Sequence, residues 1–144
     1  MQRASIRAGL DATARLLDRT DAAARLVAQT PAWSTGALHS KIRYVGFDAH
    51  VSGEAVAGLS GGRSLGAQLQ HVGRRIEEIS GWLDDSARSA GPFDISNAER
   101  AHFAELLESP LRSAQHLGGA ARSALQEAAA GARHVDVRRH PPLA

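Results

Sequence analysis

Between residues 61 and 83 the chain reads GGRSLGAQLQHVGRRIEEISGWL. Its apolar positions Leu65, Leu69, Val72, Ile76, Ile79 and Leu83 succeed one another at steps of four, three, four, three and four residues. That spacing lays all six side chains along one helical stripe with the rhythm of a coiled-coil seam. Arg74-Arg75 beside Glu77-Glu78 forms a charged face that neutralises itself through contacts one turn apart. The pattern predicts a helix over 63–89 that meets other helices along the stripe, ended by Gly91-Pro92.

The same periodicity organises most of the chain. Residues 4–29 form a first helix with Ile6, Leu10, Leu17, Ala24 and Val27 on one stripe, Thr13 and Thr20 filling the missing steps, and Leu16 and Leu26 widening it. Thr30-Pro31 closes it, since the residue before Pro is pushed out of the helical region. The stretch 37–51 is ambiguous, because Leu38, Ile42, Val45 and Ala49 keep helical spacing while Val45, Phe47, Ala49 and Val51 alternate like a strand. It reads as helix over 36–45 and as an extended connection over 46–51, with Ser52 capping the next helix. Gly61-Gly62 is a break or a weak point after it. Ser96 and Glu99 match the S-x-x-E capping box of a last arm, whose stripe Leu107, Leu111, Ala114, Gly118, Ala121, Leu125, Ala128 keeps phase across Pro110, which favours one helix kinked there over a new helix starting at Pro110. From Gly131 onward no apolar helical period remains, and 131–144 reads as a basic, disordered tail behind a 1–130 domain.

Composition sharpens this all-α reading. Aromatic residues make up only 4% of the chain and Ala about a fifth, so a core must come from Leu and Ile packed against Ala across closely spaced helices. The expected fold is an elongated antiparallel bundle of four to five helices. The absence of Cys removes disulfides and thiolate metal sites. No stretch approaches the length of a membrane span, and the charged N-terminus has no signal-peptide core. The default compartment is therefore the cytoplasm, with export that uses no cleaved signal as the alternative.

Candidate chemistry is sparse. Glu99 and His102 make a single E-x-x-H pair, whereas a di-iron bundle needs two such pairs and two more Glu. None of the seven His residues is paired at the spacing of a helical zinc site. Gly58-Leu-Ser60-Gly-Gly62 spells G-x-S-x-G, but without the strand and sheet that a nucleophile elbow requires. We expect no catalytic, cofactor or metal residues. Net charge is only +2, and the one largely uncompensated positive patch is Arg133, Arg138 and Arg139 with their neighbouring His residues.

At Trp33-Ser-Thr-Gly36 the chain resembles the WXG100 proteins of type VII secretion. The resemblance covers roughly 4–90 and includes Ile42, Val45, Phe47-Asp48, Val51, Leu69, Ile76, Ile79 and Trp82-Leu83, a pattern similar to that of longer members. It implies an Ala-rich helical hairpin that dimerises and leaves the cell without a cleaved signal. Here the turn is W-x-x-G instead of W-x-G, and the Y-x-x-x-D export pattern, at Tyr44 and Asp48, sits just after the turn instead of after the second helix. The expected function is that of a non-enzymatic interaction protein, type VII-like, joining a partner or a second copy through the 65–83 seam. The alternative is a helical nucleic-acid-associated subunit using the Arg-rich surface and the tail.

Overall fold

The computed structural model describes residues 3–29 and 33–139, and side chains only as far as Gly131 within the last helix. Five helices follow one another: α1 (Arg3–Val27), α2 (Thr35–Ile42), α3 (Val45–Ala57), α4 (Arg63–Ala90) and α5 (Asn97–Arg139). The chain is all-α, with every described connection a short turn.

Residue pairings give the topology. Gly9 of α1 abuts Ala55 of α3, while Arg15 and Arg19 meet Asp48, so α1 and α3 run antiparallel. Gly53 lies on Gly66 and Ala49 on Gly73, making α3 and α4 antiparallel as well. Gly9 also touches Leu125, and Gly118 touches Leu17, which sets α5 antiparallel to α1. Since α4 packs on α5 in turn, α1, α3, α4 and α5 close a four-helix bundle in which each helix opposes its neighbours. The short α2 continues the α3 arm and rests on α1 and α4. At 28 residues α4 spans about 42 Å, which makes the bundle elongated.

The 65–83 stripe is the spine of this core. Leu69, Ile76, Ile79 and Leu83 are fully buried, Val72 nearly so, and Leu65 partly, all against helices of the same chain. The stripe expected to join two chains is therefore core of a single chain, and the five buried side chains, all but Leu65, are not free to join a second molecule. Leu107, Leu111, Ala114, Ala121 and Leu125 of α5 are buried as their spacing requires, and α5 runs unbroken through Pro110. The capping box forms, with the Glu99 N–H donating to Ser96 Oγ at 3.2 Å and the Ser96 N–H to Glu99 Oε1 at 3.3 Å. The helical backbone continues to Arg139, past the Gly131 where the sequence reading begins a disordered tail.

Segment 46–51 and the buried face of α1 depart from the sequence pattern. The segment 46–51 is helical, lying inside α3, and the break falls earlier, at Arg43-Tyr44. What looks like strand alternation is a helix buried on several sides: Val45, Ala49 and Val56 enter the core while Gly46 and Gly53 press on α4. Ser52 caps nothing and is buried in mid-helix. In α1 the buried line is Ile6, Gly9, Ala12, Thr13, Leu16, Thr20 and Ala23, whereas Leu10, Ala24 and Val27 are only partly covered. The face is rotated because a small residue, Gly9, lets α3 approach where a leucine would hold it off.

Two glycines predict opposite effects. A Cβ on Gly66 would lie 2.5 Å from the Gly53 carbonyl oxygen, a backbone atom that cannot move away alone. Gly66→Ala is therefore expected to lower stability by roughly 1–3 kcal/mol, as overpacking does. Gly36 sits in α2 with nothing within 4 Å of such a Cβ. Gly36→Ala should raise stability by up to about 1 kcal/mol through helix propensity. Urea titration of the two variants checks both signs at once.

Candidate functional site

Each residue singled out by motif occupies a definite place. Trp33 is buried at the entry to α2 and closes one end of the bundle. Gly36 is exposed within the first turn of α2, whose cap is Ser34 accepting from the Ala37 N–H at 3.1 Å. No turn here depends on Gly36, so the W-x-x-G pair is not one geometric unit. The side chains of Arg133, Arg138 and Arg139 lie outside the described residues.

Tyr44 and Asp48 do stand together, one turn apart at the start of α3, but as part of a clasp on α1. Asp48 is 1% exposed, and its two carboxylate oxygens take Arg15 Nε at 3.2 Å and Arg19 Nη1. The Arg19 guanidinium also lies over the Tyr44 ring, 5.1 Å from its centroid, and Arg43 lies 4.9 Å from the same centroid. One helical turn further along, Thr13 Oγ1 donates to the Gly9 carbonyl at 2.7 Å. Its hydroxyl hydrogen is thus used, so the 2.6 Å contact with Ser52 Oγ has Ser52 as donor. These groups form a polar ladder that fixes the register of α1 on α3. An export receptor would find Asp48 already buried and paired.

A second polar knot ties the connections at the Trp33 end. Asp94, in the turn between α4 and α5, accepts from the Thr35 N–H at 3.1 Å, from the Thr35 hydroxyl and from the Ile95 N–H at 2.8 Å, and it pairs with Arg100 at 3.2 Å. The Thr35 hydroxyl, followed by the Thr35 and Ile95 N–H groups and Arg100, outweighs desolvation and holds its carboxyl at about 2, below the ordinary value of 3.8. A carboxylate depressed in the folded state stabilises it above the unfolded value, and the benefit disappears as pH falls. Stability is therefore expected to drop between about pH 4 and pH 2, by at most about 2 kcal/mol given partial solvent screening. Asp94→Asn should flatten that segment of the pH–stability curve, measured by chemical denaturation. An equal slope in both proteins would exclude the knot as its source.

Beside this knot the end of α1 diverges from the start of α5 and leaves an open groove of about 560 Å³. Ala24, Val27 and Ala28 form one side, and Ala101, Ala104 and Leu111 the other. Glu105, Glu108, Arg112 and Gln115 supply its polar wall, with Arg112 paired to Glu108 at 2.7 Å. The core stripes of α1 and α5 do not reveal this groove. Its signal was a second line on the last arm, Ala101, Ala104, Glu105, Glu108, at helical spacing beside the core stripe.

Elsewhere the surface carries Phe47, Tyr44, Trp82 and Phe93 as exposed large apolar side chains. No group of His, Asp and Glu suited to a metal occurs among the described residues, where Glu99 is committed to its cap. No described helix is long and apolar enough to cross a membrane. The chain matches no family model, and comparison with curated proteins and with solved structures returns no significant match. What the fold defines is a class: an antiparallel α-helical bundle with an apolar groove at one end.

Proposed function

We propose that this chain is a non-enzymatic helical interaction protein that acts by binding another protein or a second copy of itself. The observation that carries this reading is the Ala-lined groove between α1 and α5, an apolar concavity that the chain's own described side chains leave open. Interfaces are built around such patches when exposed aromatic residues and Arg stand nearby. A further support is that the buried polar residues Thr13, Thr20, Thr35, Asp48 and Ser52 all have internal partners. None of them is held ready for proton transfer or nucleophilic attack.

The relation to type VII secretion belongs to this proposal. Its support is that α1 and the α2–α3 arm lie antiparallel about the Trp33 connection, as a helical hairpin requires. The Tyr44–Asp48 pair adds nothing to it, being engaged with Arg19. The protein would act in the cytoplasm or after export without a cleaved signal.

Native mass spectrometry of the protein isolated from cells that express it at their own level tests the reading. A stoichiometric complex, with itself or with another protein, is expected. A monomer throughout would overturn it, and nucleic acid as the sole co-purifying species would favour the alternative.

A further inference from the structure

We propose that Phe93 and the α1–α5 groove form a self-complementary contact between two copies of this chain, the Phe93 ring of each seating in the groove of the other. The inference rests on the interaction reading and names its partner.

Phe93 is 79% exposed, more than any other large apolar side chain described. Such exposure usually accompanies a loose loop, yet this one is pinned on both sides. Gly91 takes φ = 67°, a conformation that favours glycine, and its N–H donates to the Arg88 carbonyl at 3.2 Å. Pro92 restricts the next step. The Phe93 N–H donates to the Ala90 carbonyl at 3.4 Å, and the next residue, Asp94, is held by Thr35, Ile95 and Arg100. An aromatic ring held out from an ordered backbone loses little freedom on binding, which is the requirement for an interface anchor.

The groove meets the requirements of a seat. Its α5 wall begins at Ala101, one turn into α5 and eight residues beyond Phe93, so knob and hole lie at the same end of the bundle. An apolar cavity of about 150 Å³ suffices for a benzene-sized ring, and this groove offers about 560 Å³. Alanines line it on both helices, leaving room that larger side chains would fill. Charge does not oppose the contact: the Phe93 ring is uncharged, Glu105 and the Arg112-paired Glu108 stand on the polar wall away from the alanines, and the Asp94 carboxylate beside Phe93 is engaged with Thr35, Ile95 and Arg100.

Having knob and hole on one end also decides the geometry. A two-fold axis past that end lets each copy give and receive the same contact, producing a closed dimer with no open filament. No other molecule is needed to complete either half.

Sedimentation equilibrium of the full chain, from about 1 μM to about 1 mM, gives the test, since weak symmetric dimers assemble in that range. The wild type is expected to dimerise. Phe93→Asp and Ala101→Glu, both at exposed positions, should each weaken the dimer at least ~30-fold, the loss typical of an interface anchor. Their helical circular dichroism should be unchanged, as should their melting temperature at concentrations where the wild type is itself monomeric. A wild type that stays monomeric overturns the proposal, as does a dimer weakened by Phe93→Asp and indifferent to Ala101→Glu. A dimer that survives both substitutions also overturns it while leaving the interaction reading intact. A monomer that enters a complex with another protein in cells separates the two in the same way.

Discussion

Ile76→Asp is expected to remove the cooperative unfolding transition and most of the helical far-ultraviolet signal. Ile76 is fully buried at the centre of α4, flanked along its stripe by Leu69, Val72, Ile79 and Leu83. No basic group stands on that stripe to receive a carboxylate, so the substituted side chain would be buried uncharged and unsatisfied, or would force the helices apart. The lost apolar burial adds about 1.5–3 kcal/mol. Together these approach the whole stability of an ordinary small domain, about 5–15 kcal/mol. Ile76→Val, which removes one methylene, should cost only about 0.5–1.5 kcal/mol and keep the transition. A folded, cooperative Ile76→Asp protein would show that α4 is not the spine of the bundle.

Asp48→Ala is expected to have the second largest effect, roughly 2–3 kcal/mol. Truncating one partner of a buried ion pair typically costs about 3–5 kcal/mol. The smaller figure holds here because Arg15 and Arg19 are partly exposed and regain water when the carboxylate goes. What cannot recover is the buried space at the α1–α3 contact and the hold of Arg19 on Tyr44. The loss should persist in about 1 M salt, where an exposed ion pair would already be screened. A cost below about 0.5 kcal/mol would reduce the clasp to an ordinary surface pair.

These two residues show how unevenly the fold was legible in the sequence. Ile76 announces itself, because a fully buried helix face repeats at a spacing that polar residues do not share. The α4 and α5 stripes, the Gly91-Pro92 stop and the Ser96–Glu99 cap were readable for the same reason: each depends on neighbours within a turn or two. The stripe did not say whose helices it meets, since the same spacing serves a core within one chain and a seam between two. Asp48 was readable as half of a motif, and its partners were not, because they lie 29 and 33 residues away. Around it, Val45, Phe47 and Val51 suggested strand; burial of α3 between α1 and α4 decided for helix. The groove escaped notice because alanine counts as apolar filler in a sequence and becomes a concavity only when two helices part.

The Thr35–Asp94 knot joins groups 59 residues apart, whereas the glycine contacts between α3 and α4 join much nearer positions such as Gly53 and Gly66. Closing the longer loop costs more chain entropy and comes later. In kinetic terms the α3–α4 hairpin forms before the knot, and the knot before the still longer closure that sets Gly9 of α1 on Leu125 of α5. A contact made that late acts mainly on the unfolding rate, so strengthening the knot should lengthen the life of the assembled bundle between openings and leave the speed of assembly almost untouched.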